Sequence, residues 1–141
     1  MEFCFDREGL EVGIDEAGRG CLAGRVYVGA VILPMDFGDD ETYLQIKDSK
    51  KISKKKRKVL RKWIEENALA YSVGWVDEKE IDKINILQAT FKAMHNALDG
   101  ISIEFDRVLV DGDKFKLYER DGDIKEAICI KGGDNIYYSI A

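Results

Sequence analysis

Short segments rich in Val and Ile alternate along this chain with two amphipathic segments. Branched side chains favour strands because they pack well on a pleated surface, whereas apolar residues three and four apart mark one face of a helix. The predicted strands are 10–14, 25–33, 68–76, 107–111 and 126–131, and the predicted helices are 53–67, 85–99 and one that begins near Asn135. This order predicts one α/β domain over residues 1–141, with a mixed five-stranded sheet and helices on its faces.

Several residues mark the predicted ends of these elements. Pro34 ends the second strand because it has no N–H to donate to a ladder. Ser53 is the expected N-cap of the first helix, and Gly100 is the expected stop of the second. Trp63 and Trp75 are expected to pack in the core.

The composition excludes several classes of protein. The chain has 141 residues, a formal net charge of −5 and three widely spaced cysteines, Cys4, Cys21 and Cys129. An odd number of cysteines without a C-x-x-C pair argues against a disulfide framework and a zinc site, so we expect reduced thiols and a cytoplasmic location. The start of the chain lacks the pattern of a signal peptide, and the longest apolar run, 26–33, is too short to span a bilayer. We expect a monomer without a membrane segment.

Acidic residues close three of the predicted strands: Asp15 and Glu16 the first, Asp111 the fourth, and Asp134 the fifth after two glycines. Strand ends in α/β sheets converge on one crevice, where two carboxylates about 4 Å apart repel each other by roughly 4 kcal/mol. Oxygen ligands of this kind suit Mg²⁺ or Mn²⁺, and paired metal ions can promote phosphodiester hydrolysis. The competing interpretation is that these acids lie in turns without a ligand, as we expect for Asp121.

Two further features are relevant to a phosphate ligand. Gly18-Arg19-Gly20 combines glycines, which allow close backbone approach, with a guanidinium that fits phosphate; taken alone, the segment is more typical of a tight hairpin with a solvated Arg. A basic run from Lys47 to Lys62 is opposed only by Asp48. It places Lys54, Lys55 and Lys56 in the first turn of a helix, where the macrodipole disfavours cations. A solvated face would not require that placement, and phosphate binding would explain it.

Five segments, in this order, resemble the type 2 ribonuclease H (RNase HII) family. The resemblance covers residue 10 to the last residue, on Gly13–Gly24 (GIDEAGRGCLAG), Lys47–Ser53 (KDSKKIS), Ile84–Thr90 (INILQAT), Val110–Gly112 (VDG), and Lys131–Asp134 (KGGD) followed by Ser139–Ala141.

The resemblance implies an RNase H-like fold and a magnesium- or manganese-dependent endonuclease. The expected substrate is the RNA strand of RNA–DNA hybrids and ribonucleotides embedded in DNA. It implies that the acids at the strand ends form a two-metal catalytic site. It also implies that Gly18, Arg19 and Gly20 sense the 2′-OH and that Lys50 holds a backbone phosphate. The catalytic and metal-site residues carried over by position are Asp15, Glu16, Asp111 and Asp134.

Two features depart from the family pattern. The family continues past Ser139-Ile140-Ala141 with further helices, so we expect the C-terminal helices to be missing, the helix after Asp134 to be cut short and an apolar face of the sheet to be exposed. Ile136 also stands where many members have a Lys.

Some assignments stay open. Asn85 and Gln88, at a helix start, either contact the substrate or serve the helix, Asn85 as its cap. His95, the only histidine, is expected on a helix face without a catalytic role. The alternative function is a non-catalytic module that binds hybrid or duplex and has lost turnover. An integrase or resolvase of the same superfamily is a further alternative, against which the 18–20 and 48–50 segments argue.

Overall fold

The computed structural model describes residues 1–17 and 24–141. The strands are β1 (Glu11–Ala17), β2 (Val26–Ile32), β3 (Ala70–Val76), β4 (Arg107–Asp111), β5 (Glu119–Arg120), β6 (Asp123–Ile124) and β7 (Glu126–Ile130). The α-helices are α1 (Lys54–Asn67) and α2 (Glu78–Asp99), and 3-10 turns span Thr42–Gln45, Ser49–Lys51 and Gly133–Asn135. Neither of these described α-helices combines the length and the apolar character that crossing a membrane demands.

Five strands form a mixed sheet in the order β3-β2-β1-β4-β7. The first three strands pair antiparallel, whereas β4 runs parallel to β1 and β7 runs parallel to β4. The carboxyl ends of β1, β4 and β7 therefore meet at one edge of the sheet. This arrangement confirms the predicted mixed five-stranded sheet.

Helix α2 covers one face of the sheet. Alternate strand residues such as Val12, Ile14 and Val108 point toward it and are fully buried. Gly74 of β3 permits the close approach, because a Cβ there would lie 2.2 Å from the carbonyl oxygen of Ala93. The main hydrophobic core therefore lies between α2 and the sheet.

A second, mainly aromatic cluster lies between α1, the segment before it and the two ends of the chain. Trp63 is 9% exposed and donates from Nε1 to Asp40 Oδ2 at 2.8 Å. The ring of Phe3 packs 5.0 Å from that of Tyr138. Beside this cluster, a groove of about 690 Å³ separates α1 from β2 and β3 and reaches Ala141. The expected exposure of an apolar face of the sheet is observed at this groove, where Tyr71 and Val73 of β3 are 48% and 61% exposed.

A buried ion pair holds the amino-terminal ends of β1 and β4 together. Glu11 and Arg107 are register partners, and Arg107 Nε lies 3.0 Å from Glu11 Oε2. The Glu11 carboxylate also accepts from the backbone N–H groups of Phe5 and Asp6, at 2.8 and 2.9 Å. Arg107 donates in addition to the carbonyl oxygens of Asp6 and Glu8. The N-terminal segment is thus fastened to the sheet by a fully paired charge cluster.

Helix α2 contains a first part, beginning at Glu78, that the sequence pattern did not predict and that precedes the predicted helix 85–99. Asp77 caps it by accepting from the backbone N–H of Glu80 at 2.9 Å. Asn85 interrupts the helix with φ 70° and ψ 168°, so the predicted helix start coincides with the beginning of the second part of α2. Ser53 caps α1 as predicted, and Asp121 lies in the turn between β5 and β6, a small hairpin that the pattern did not predict.

Two predictions are wrong. Residues after Asn135 do not continue as a helix, because Tyr137 pairs with Glu2 in a parallel bridge and the Ile136 carbonyl oxygen accepts from Glu2 N–H at 2.7 Å. Trp75 is 45% exposed rather than buried. It lies on the open face of β3, where the Arg25 guanidinium stacks 4.2 Å from its ring centroid.

Candidate functional site

Three carboxylates converge at the carboxyl edge of the central strands. Asp15, Asp111 and Asp134 each offer a carboxylate oxygen, and these oxygens all lie within 4.8 Å of one another. The parallel register that pairs Ile14 with Val110 places Asp15 beside Asp111. The sequence prediction that acids from three strand ends meet in one crevice is consistent with this geometry.

Backbone hydrogen bonds orient two of these side chains. Asp15 Oδ1 accepts from the N–H of Glu16 at 2.8 Å, and Asp111 Oδ1 accepts from the N–H of Gly133 at 2.9 Å. The second bond ties the end of β4 to the 3-10 turn that carries Asp134. Asp134 itself is only 8% exposed.

Burial and neighbouring negative charge disfavour the ionised form of two of the three carboxyl groups. Burial, with the neighbouring charge of Asp111, raises the pKa of Asp15 to about 7. Burial also raises the pKa of Asp134, with further contributions from Asp111 and Asp48, while Lys50 opposes the shift. Carboxyl groups whose pKa is raised by burial and by neighbouring negative charge are characteristic of sites that hold a positive ligand.

The donor chemistry fits a hard divalent cation. Converging carboxylate oxygens are the ligands that Mg²⁺ and Mn²⁺ prefer, and a dication would offset the repulsion that raises these pKa values. The residues that would hold such an ion are Asp15, Asp111 and Asp134.

Glu16 is not part of the group of three. Successive side chains on a strand point to opposite faces, so Glu16 starts from the face of β1 opposite to Asp15. Its assignment to the metal site stays a prediction. Gly18, Arg19 and Gly20 lie outside the described residues, and their assignment likewise stays a prediction.

Lys50 lies close to the acidic cluster, since its charge lowers the pKa of Asp134. It belongs to the 3-10 turn Ser49–Lys51 within the basic run, and its backbone N–H donates to Asp48 Oδ1 at 3.1 Å. The predicted phosphate contact and the predicted acids thus lie at the same end of the sheet.

Asn85 and Gln88 are involved in helix structure. Asn85 Oδ1 accepts from the backbone N–H of Gln88 at 3.1 Å and so caps the second part of α2. Gln88 lines a cleft of about 390 Å³ with Phe91, His95 and Lys116, and the described lining of this cleft includes none of the three acids. His95 hydrogen-bonds the Lys116 carbonyl at 2.9 Å. The capping alternative for Asn85 is thereby supported, and the substrate roles of Asn85 and Gln88 stay predictions.

Sequence reasoning missed three residues around Asp134. Asp48 helps to raise its pKa, Asn135 donates to its Oδ1 at 3.2 Å, and Lys51 donates to Asn135 Oδ1 at 2.7 Å. The signal for Asp48 was present, because it is the one acid in a basic run. No sequence pattern indicated that Lys51 and Asn135, 84 positions apart, would meet.

The mixed five-stranded sheet and the helices packed on it define a domain of the RNase H-like class. The model of the Ribonuclease HII family matches residues 12–141. The chain is 50% identical to the Ribonuclease HII of Bacteroides fragilis over 136 residues, which are 96% of this chain and 64% of that protein. The chain therefore belongs to the ribonuclease HII family, and it spans less than two thirds of the length of such relatives.

Solved structures show the same fold. The ribonuclease H2 of Pyrococcus horikoshii OT3 superposes with a TM-score of 0.70 at 24% identity, over 93% of this chain and 66% of the other. Bst-RNase HIII, solved in complex with Mn²⁺, superposes with a TM-score of 0.70 at 15% identity, over 94% of this chain and 49% of the other. The RNase H-like fold implied by the resemblance is thus confirmed.

Proposed function

We propose that this protein is a metal-dependent endonuclease that hydrolyses the RNA strand of RNA–DNA hybrids and cuts at ribonucleotides embedded in DNA. The observation that carries the proposal is the convergence of Asp15, Asp111 and Asp134 within 4.8 Å. Membership of the ribonuclease HII family supports the choice of substrate. The family assignment and this geometry favour the enzyme over the non-catalytic binding module.

In this proposal the three acids hold Mg²⁺ or Mn²⁺, with Glu16 as a fourth acid of the site. The bound ions would activate a water and stabilise the leaving oxygen of the phosphodiester. The Mn²⁺ complex of Bst-RNase HIII, a protein of the same fold, makes manganese a reasonable test ion.

The protein's own residues would bind and orient the substrate. Lys50, beside Asp134, would hold a backbone phosphate, and the exposed lysines of α1 would add sequence-independent attraction for the duplex. Arg19, with Gly18 and Gly20, would sense the 2′-OH, the group that distinguishes RNA from DNA. Contacts from Asn85 and Gln88 belong to the same proposal.

The first test is cleavage of a DNA duplex that carries one ribonucleotide, by this 141-residue chain, in Mg²⁺, Mn²⁺ or EDTA. We expect a cut beside the ribonucleotide that requires metal. Asp15→Asn should reduce the rate by at least about a hundredfold, the scale of effect for a misplaced or lost reacting group, while hybrid binding is nearly retained.

Asp121→Asn is the matched control, since it removes the same charge at the exposed β5–β6 turn and should cut at the wild-type rate. Full activity of Asp15→Asn would contradict the site assignment. Salt-sensitive binding without any cleavage by the wild-type chain would favour the non-catalytic module.

We further propose a monomer that works in the cytoplasm. Cys4 and Cys129 are free thiols, as expected where the environment is reducing. Sedimentation of the purified chain and fractionation of cells would test these two points.

A further inference from the structure

Asp134 is held differently from the other two acids. Asp15 lies within the β1–β2 ladder opposite Gly29, and Asp111 lies within the β4–β7 ladder opposite Ile130. Asp134 instead lies in a 3-10 turn of three residues, Gly133–Asn135. A short turn constrains its side chain less than a paired strand does, so the groups that contact the carboxylate have more influence on its position.

One such group is the side-chain amide of Asn135. Its Nδ2 donates to Asp134 Oδ1 at 3.2 Å, and its Oδ1 accepts from Lys51 Nζ at 2.7 Å. The reverse orientation of the amide would set its NH₂ against an ammonium and its oxygen against a carboxylate. The two charged neighbours therefore fix which way the amide points.

Lys51 is in turn held by its own loop. It ends the 3-10 turn Ser49–Lys51, in which its backbone N–H donates to the carbonyl oxygen of Asp48 at 2.8 Å. Asp48 also lies near enough to Asp134 to help raise the pKa of its carboxyl. The loop that carries Lys50 is thus joined to the turn that carries Asp134 through the hydrogen bond from Lys51 to Asn135.

We propose that Lys51 and Asn135 are positioning residues, which act through their hydrogen bond to hold Asp134 in place for a metal ion and to fasten the Lys50 loop to the metal site. This inference rests on the proposed function, because it requires that the acids bind metal. Donation by an ammonium to the amide oxygen polarises the amide and strengthens its bond to the carboxylate. Partners behind metal ligands commonly govern metal affinity in this way.

The direction of the change in metal affinity distinguishes a positioning role of Lys51 from a simple effect of its charge. Lys51→Met removes a positive charge near a cation site, so electrostatics alone would strengthen metal binding. Positioning predicts the opposite. We expect Lys51→Met and Asn135→Ala each to weaken Mn²⁺ binding by about tenfold, the lower end of the range for such partners because the Lys51–Asn135 hydrogen bond is exposed.

The experiment is titration of the chain with Mn²⁺, followed by the electron paramagnetic resonance signal of the free ion. The double variant Lys51→Met/Asn135→Ala should lose about tenfold and not a hundredfold, because both residues act through one contact. Lys51→Arg, which can still donate to Asn135, should restore most of the affinity. The unfolding midpoint in EDTA should be the same in all variants.

Lys55→Met is the matched control, since it removes the same charge from an exposed position in the first turn of α1. If Lys51→Met binds Mn²⁺ as well as or more tightly than Lys55→Met, or if the losses of the single variants add, the positioning role is overturned while the metal site stands. Failure of the wild-type chain to bind Mn²⁺ would overturn the proposed function itself.

Discussion

Strands β1 and β4 carry charged residues at both ends. Opposite charges are paired at the amino-terminal end, whereas like charges lie side by side at the carboxyl end. At the amino-terminal end, Glu11 faces Arg107 across the ladder, and backbone donors and acceptors complete the pairing. At the carboxyl end, Asp15 lies beside Asp111, and one carboxylate oxygen of each lies within 4.8 Å of the other and of an oxygen of Asp134. The same pair of strands thus presents a compensated charge cluster at one end and a carboxylate cluster at the other.

The difference separates stability from function. A buried charge with full partners rigidifies the structure and is costly to break, whereas like charges held close together destabilise the fold unless a ligand compensates them. The first arrangement fastens the N-terminal segment to the sheet. The second would, in the proposed function, hold a cation that offsets the repulsion between the carboxylates.

The largest expected effect comes from breaking the ion pair between Glu11 and Arg107 at the amino-terminal end of the two strands. Arg107→Met leaves the Glu11 carboxylate buried and without its guanidinium, and breaking such a pair typically costs about 3–5 kcal/mol. The free energy of unfolding, measured in urea, should fall by this amount. Arg61→Met is the control, because the Arg61–Glu65 pair has a similar distance, 2.9 Å, but is exposed and such pairs contribute only about 0.3–0.5 kcal/mol. Equal losses of unfolding free energy in the two variants would mean that the buried pair contributes no more than an exposed one, which would contradict the contrast between the two strand ends.

The next largest effect concerns stabilisation by metal at the carboxyl end of the two strands. Mg²⁺ that binds the folded state alone should stabilise the protein by about 2.7 kcal/mol at a concentration one hundred times its Kd. Thermal unfolding followed by circular dichroism should show a higher Tm in MgCl₂ than in NaCl of equal ionic strength. Asp111→Asn should abolish this increase, and Asp121→Asn should keep it. An increase that persists in Asp111→Asn would place the ion elsewhere.

The sequence predicted the carboxyl end better than the amino-terminal end. Acids after Val- and Ile-rich segments can be recognised without coordinates, because strand ends of a parallel pair converge. The partnership of Glu11 with Arg107 depends on the register of two strands 96 positions apart, which no local pattern specifies. The contact of Lys51 with Asn135 is hidden for the same reason.

Local structure was predictable where one interaction decides it. Ser53 capped α1 as expected, since its hydroxyl satisfies a free backbone N–H. The segment after Asn135 was not predictable, because pairing with Glu2 at the opposite end of the chain replaces the helix. The exposure of Trp75 likewise depends on which face of β3 is left open.

The smallest expected effect is the pH dependence of stability without metal. The pKa of Asp15 lies at about 7 in the folded protein, above its ordinary value of 3.8, so between these two values the folded state binds a proton that the unfolded state has released. Stability in EDTA should therefore fall as the pH rises from about 4 to about 7 and should level off above 7. Solvent at the partly exposed carboxylate reduces the size of the change.

Urea midpoints at pH 5 and pH 8 would measure this change. Asp15→Asn should flatten the difference, whereas Asp121→Asn should keep the wild-type difference. Saturating Mg²⁺ should reverse the trend, because the ion binds the ionised carboxylates and its contribution grows as they lose their protons. If the difference in urea midpoint between pH 5 and pH 8 persists in Asp15→Asn, groups other than Asp15 cause the pH dependence. The contrast between the two ends of β1 and β4 would then need a different explanation.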